Sequence, residues 1–170
     1  GPEAQVAALA DDIAYNNHDI DDGLRAGLFS IEDLQKVPYV AEYLDPLCDR
    51  YPDLERARLI HELVRRLING MVTDVLEVSS HRIAKLAPKN VEDVRGAKEA
   101  VIGFSTKISE SERQLKAFLS KNLYHHESVT RLRGVANQIV TELFQHMLIK
   151  PSEMPPEWQA RVFSPGSAAT

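Results

Sequence analysis

Cysteine is almost absent from this chain. Cys48 is the only one in 170 residues, so no disulfide can form within it, and a reducing, cytoplasmic setting is expected. No apolar run approaches the roughly 20 residues that a membrane-spanning helix needs. There is no excess of basic charge either: a formal net charge of -5 offers no surface for duplex nucleic acid. The chain lacks a Gly-rich phosphate loop, a paired-cysteine zinc motif and a G-x-S-x-G elbow, which removes three common routes to nucleotide, metal and acyl chemistry. Cys48, set between Leu47 and Asp49, has no base or cation beside it in sequence and reads as a small buried thiol.

What is present is helix. A hydrophobic content of 44% suffices for one domain with a sizeable core, expected over residues 1–163, with a small-residue tail frayed over residues 164–170. Gly1-Pro2 reads as a cut edge. A first helix is expected from about Glu3 to Asn17, a short second one around Asp21–Ala26 stopped by Gly27, and a third from the capping pattern Ser30–Asp33. Pro38 and Pro46 punctuate a fourth, carrying Tyr39, Val40, Tyr43, Leu44 and Leu47 at helical spacing. The longest runs from Pro52 to about Leu86; its stripe of Ile60, Val64, Leu67, Met71 and Val75 marks it as the spine, and Gly70 permits a bend or close packing. Ala100–Phe104 fits a short strand or a buried loop. Ser109–Glu112 reads as a capping box opening a helix to Leu123. The last helix spans about Ser128 to Leu148, with Val129, Leu132, Val135, Ile139, Leu143, Phe144 and Met147 inward. The expected fold is all-α, with one long central helix.

The opening segment is unusual for a helix because it carries five aspartates, at positions 11, 12, 19, 21 and 22. Residues four apart stack on one side, so Asp11, Tyr15 and Asp19 share a face over two turns. Aligned carboxylates repel, and such a face needs a cation, hydrogen-bond donors or open water to compensate. On charge pattern alone, a solvated acidic surface is the plainer reading.

The longer run Glu3-Ala-Gln-x-Ala-x-Leu-Ala-Asp11-Asp-Ile-Ala-Tyr15-x-x-His18-Asp19-Ile-Asp-Asp22-Gly-Leu-Arg25 resembles the second half of the HD-domain deoxynucleoside triphosphate triphosphohydrolases, the bacterial deoxyguanosinetriphosphate triphosphohydrolase-like family. Weaker signals follow in the family's order: Arg58-Leu-Ile-His61, Met71-Val-Thr-Asp74, Leu115-Lys-x-Phe-Leu119, Tyr124 and Leu143-Phe144. The resemblance covers essentially the whole chain. It implies the C-terminal half of an HD-domain-like helical bundle, and an enzyme that cleaves a dNTP to the deoxynucleoside and inorganic triphosphate. It further implies a divalent metal, Mg or Mn, held by an H…HD…D set, and a homo-oligomer.

Carried over by position, the resemblance makes Asp11 the last metal ligand, Tyr15 a contact near sugar and phosphates, and Asp19 the contact to the sugar 3′-hydroxyl. Asp12 lies 100° round the helix from Asp11 and has the wrong spacing to both. A hard cation suits a carboxylate, would relieve the repulsion, and lowers the pKa of a bound water for attack on the α-phosphorus. The chain has no earlier His…His-Asp set, and His18-Asp19, adjacent on the same helix, cannot replace it. The expectation is a C-terminal portion of the enzyme, inactive alone.

On the long helix Arg58, His61 and Arg65 fall on one side, while Arg56 and Arg66 point elsewhere. Arg58 and His61 are candidates for the β- and γ-phosphates; the plain alternative is a basic face balanced by Glu55 and Glu62. His125-His126 read as a helix-junction pair rather than co-ligands, and His81 and His146 as surface histidines. Trp158, among prolines, pins the C-terminal segment or fills a subunit contact. The rival to a hydrolase is a non-catalytic helical regulatory or interaction domain; a different HD-type nucleotide phosphohydrolase is a third.

Overall fold

Pro2 sits in the first turn of a helix, where its missing N–H has no partner to lose, and α1 then continues unbroken from Pro2 to Arg25. This is seen in a computed structural model that describes residues 1–162. The expected stop at Asn17 does not occur. The Asn17 side-chain amide donates back to the Ile13 carbonyl at 2.7 Å, a bond within the helix rather than a cap, and the buried Ile20, Gly23 and Leu24 carry the packing onward. The chain turns at Gly27, whose φ of 68° is left-handed, and the Leu28 N–H returns to the Gly23 carbonyl at 2.9 Å, the closing bond of a Schellman end.

A short helix α2 (Ile31–Leu34) follows, opened by a Ser30–Asp33 capping box, and then α3 (Pro38–Arg50). The long helix, α4 (Arg56–Leu86), is the spine the apolar stripe calls for. It ends where Ala87 takes a left-handed φ of 47° ahead of Pro88, which cannot continue a helix. α1 lies antiparallel to α4: Arg56 donates to the Leu24 carbonyl at 3.3 Å near one end, and Asn17 approaches the Met71 sulfur at 3.6 Å further along. Between them Ile13, Ile20 and Leu24 meet Ile60, Leu63, Leu67 and Met71. Each such side chain, fully buried, contributes about 1.5–3 kcal/mol. Gly70 serves close packing: a Cβ there would fall 2.0 Å from the Tyr43 hydroxyl. The neighbouring Tyr39 hydroxyl, fully buried, donates to the Leu67 carbonyl at 2.9 Å, and burial pushes its pKa well above the usual phenol range.

After α5 (Val91–Arg95) residues 101–104 form a buried loop, and the described residues contain no strand. Its backbone is satisfied by side chains: Ile102 N–H by Gln5 at 3.0 Å, Gly103 N–H by Ser79 at 3.2 Å and Ser105 N–H by Asp74 at 2.8 Å. Arg82 donates to the Ala100 and Phe104 carbonyls at 3.1 and 3.0 Å. Backbone groups taken out of water need such partners. The helix that follows, α6 (Thr106–Leu119), starts one turn earlier than the Ser109–Glu112 box suggests. The Ser105 hydroxyl takes the Ile108 N–H, so that box lies inside the helix. α6 then passes into a π-helical turn, Ser120–Tyr124, a widening invisible to a 3.6-residue pattern.

The chain divides into two compact units, Gly1–His126 and the part from Glu127 onward. The second contains α7 (Glu127–Ile149), a 3₁₀ turn at Pro151–Glu153 and α8 (Pro156–Val162). α7 overturns the expected inward face. Its apolar residues share one side, but none is buried; Leu132 is 61% and Phe144 65% exposed. Helical period fixes the phase of an apolar face and supplies no surface to cover it. Trp158 is also exposed, with the Arg161 guanidinium 5.0 Å above its ring. Cys48 is exposed rather than buried, one position past the buried Leu47. The expected frayed tail, residues 164–170, lies outside the described residues.

Candidate functional site

α1 has three sides. Ile13, Asn17, Ile20 and Leu24 face the core, and Val6, Leu9, Ala10 and His18 line an apolar groove of about 320 Å³ shared with Ile68, Val72 and Leu76 of α4. The third side carries Asp11, Tyr15, Asp19 and Asp22 at steps of three and four. Asp11 and Asp22 are exposed, Tyr15 is 62% exposed and Asp19 half-buried. Four residues of helix rise about 6 Å, so the two carboxylates at Asp11 and Asp19 stand about 12 Å apart along the axis, with the phenol between them. At that spacing the two carboxylates do not crowd one another.

Two residues from the far end of the sequence close in on this face. The Tyr124 hydroxyl donates to Asp19 Oδ2, joining the π-helical turn to α1 across 105 residues of chain. The hydrogen bond to Asp19, with burial and the charge of that carboxylate, pushes the Tyr124 phenol up to about 12. Lys116 of α6 donates to Asp12 at 3.1 Å and pairs with Glu112 at 2.7 Å. Burial works to lower the Lys116 pKa, but the hydrogen bonds to Glu112 and Asp12 outweigh it and leave the ammonium raised. Asp12 is thus engaged in a link between helices, while its neighbour Asp11 is not held by either. The two differ as the 100° offset requires. Tyr124 is the residue that sequence spacing does not assign to this face; only its place in the family-like run hinted at it.

Arg58 and His61 stand elsewhere. Both are exposed and line an open cleft of about 620 Å³ at the start of α4, with Tyr51, Leu54 and Arg65. Glu62 in the same cleft pairs with Arg65 at 2.9 Å and lies 3.6 Å from Arg66, so part of the basic charge is neutralised locally. None of Asp11, Tyr15 and Asp19 lines that cleft. Because α4 runs antiparallel to α1, the cleft lies toward the Asp19 end of the acidic face, not the Asp11 end. His125 sits at the junction after the π turn with Nδ1 2.7 Å from the Ser120 carbonyl.

Asp11 supplies one carboxylate. Among the described residues no three His, Cys, Asp or Glu side chains gather to hold a metal ion, so the donors of this chain do not by themselves fit a divalent cation. What the face offers is a carboxylate at each end and a phenol midway.

Comparison with known proteins gives this face a context. Residues 102–169 match the phosphohydrolase-associated domain. Over 170 residues the chain is 49% identical to the deoxyguanosinetriphosphate triphosphohydrolase-like protein of Parvibaculum lavamentivorans, covering all of this chain and 43% of that protein. It is 52% identical over 158 residues to the like-named protein of Brucella anthropi, covering 93% of this chain and 39% of the relative. With that of Allorhizobium ampelinum it shares 47% over 152 residues, 89% of this chain and 38% of the relative. The chain therefore spans about two fifths of the length of the curated relatives it matches. It is related along its whole length to the deoxyguanosinetriphosphate triphosphohydrolase-like proteins, and its fold is all-α as that relationship implies.

Proposed function

We propose that this chain is the C-terminal portion of a cytoplasmic, homo-oligomeric enzyme that cleaves a deoxynucleoside triphosphate, dGTP or a similar dNTP, to the deoxynucleoside and inorganic triphosphate. The observation that carries this is the outward face of α1. In a chain related throughout to triphosphohydrolase-like proteins, Asp11, Tyr15 and Asp19 stand in one line, and Asp19 is held from a distant helix. No helix among the described residues is long and apolar enough to cross a membrane.

Asp11 is assigned as one carboxylate of a divalent-metal site, Mg or Mn, whose remaining ligands come from outside this chain. Asp19 accepts a hydrogen bond from the sugar hydroxyl; Tyr15 donates to a phosphoryl oxygen or packs on the deoxyribose. This orientation lays the nucleotide along α1, with phosphates toward Asp11 and sugar toward Asp19. The cleft of Arg58 and His61 lies past Asp19, so their assignment to the β- and γ-phosphates draws less support from the fold than the α1 face does. On this reading the 170-residue chain alone is inactive, since the upstream His and His-Asp ligands lie outside it.

The test is triphosphate release from a panel of dNTPs by the full-length protein with added Mn²⁺ or Mg²⁺. Pyrophosphate or monophosphate as the product would point to another HD-type phosphohydrolase. No turnover, or a full-length protein with no His…His-Asp set, would leave the rival reading, a helical interaction domain. That rival is favoured by one observation, the unburied apolar side of α7.

A further inference from the structure

Asp19 is held in place on the α1 face by a side chain from the far end of the chain. The π-helical turn that follows α6 ends on Tyr124, and its extra residue re-aims that side chain relative to a regular helix. The turn is seated closely on α1. At Gly23, one helical turn beyond Asp19, a Cβ would fall 3.1 Å from the Leu123 side chain, a close contact with the turn, and 2.2 Å from the Phe29 ring, which is what demands a glycine there. Leu123 thereby packs against the core, and the next residue, Tyr124, reaches Asp19 Oδ2. Tyr15, one turn before Asp19, is exposed on the same face.

We propose that Tyr124 is a positioning residue: through the π-helical turn its phenol fixes the Asp19 carboxylate so that Oδ1 is presented to a sugar hydroxyl of the bound nucleotide. The inference rests on the role given to Asp19 above and extends it to the segment matched by the phosphohydrolase-associated domain, which otherwise holds no residue of the α1 face. A carboxylate on an outward helix face samples several rotamers, and ordering it on binding opposes affinity. The phenol removes that freedom beforehand and occupies one oxygen, leaving the other for a single donor. Such an outer partner fixes a contacting group much as a second hydrogen bond fixes a metal-ligating histidine. The consequence is selectivity for nucleotides that carry the hydroxyl.

The test compares a dNTP with its 2′,3′-dideoxy counterpart in the full-length protein, reading KM and kcat separately for wild type, Tyr124→Phe, Asp19→Asn and the double variant. Tyr124→Phe is expected to raise KM for the dNTP roughly tenfold, as loss of a hydrogen bond to a charged group would, and to leave the dideoxy substrate within about twofold. In the Asp19→Asn background it should add nothing. Equal losses on both substrates, or additive effects in the double variant, would overturn the proposal while leaving the hydrolase reading intact. A wild-type protein that turns over no dNTP would remove that reading and this one together. Tyrosine-ring NMR of the same protein checks the contact without turnover: Tyr124 should titrate near 12 in wild type and fall toward the ordinary phenol range in Asp19→Asn. An unmoved titration contradicts the contact even if Tyr124→Phe does not fold.

Discussion

The part up to His126 and the part from Glu127 onward use the same material differently. In the first, amphipathic helices α1, α3, α4 and α6 close on each other, and Leu34, Val40, Leu44, Leu47, Leu63, Leu67, Met71 and Leu115 are sealed from water. In the second, α7 is as apolar along one side, yet none of its residues is buried among the described ones. The contrast teaches that an apolar stripe becomes a core only where the chain also provides a facing surface. The side chain that joins Asp19 to the π-helical turn belongs to the first unit, so the candidate site stands on the part that is packed.

Substitution at matched leucines tests that contrast most sharply. Leu67→Ala should destabilise the protein by about 2–5 kcal/mol through lost burial and the cavity left behind. Leu143→Ala on α7 should change stability by less than about 0.5 kcal/mol. Denaturant unfolding measures both, and a loss at Leu143 as large as at Leu67 would show that α7 is covered in solution and the contrast false. A smaller effect is expected at Tyr39→Phe, which deletes the hydroxyl bonded to the Leu67 carbonyl beside Gly70; about 1 kcal/mol should be lost. No loss there would mean that α3 and α4 are not in the close approach described.

Surface charge should give the smallest effect and should not distinguish the units. The Asp33 carboxyl is held down to about 2 by the Lys36 ammonium and then by Ser30, and Glu153 is lowered by His146 and Lys150. A carboxyl depressed in the folded state adds stability above its ordinary range, and that part is lost as pH falls toward 2. Asp33→Asn should therefore flatten slightly the dependence of the melting temperature on pH between about 4 and 2. Both groups are exposed, so the change should be small in either unit. A large acid sensitivity from one of them would mean that exposed ion pairs, and not burial, separate the two parts.

Much of this was legible in the sequence, for a physical reason in each case. The 3.6-residue period marks α4, and the Ser30 capping box marks α2, because both depend on neighbours a few residues apart. The expected end at Asn17 fails because its side chain bonds back to Ile13 and the burial of Ile20 carries the helix on. The Ser109 box concealed the true cap at Ser105, whose selection depends on Asp74 holding the Ser105 N–H from another helix. The alignment of Asp11, Tyr15 and Asp19 follows from spacing alone. The Tyr124 bond to Asp19 does not, since it links positions 105 residues apart through a π-helical turn that no 3.6-residue pattern marks.

The most direct measurement uses the two adjacent aspartates of α1, of which Asp11 is exposed and Asp12 is half-buried and paired with Lys116. In the full-length protein, triphosphate release from a dNTP should fall by at least roughly a hundredfold in Asp11→Ala, the effect expected for loss of a metal ligand. In Asp12→Ala, which loses only the exposed bond to Lys116, activity should stay within a few-fold of wild type. Equal activities in the two variants, or a greater loss at Asp12, would contradict the assignment of the Asp11, Tyr15 and Asp19 face as the nucleotide site.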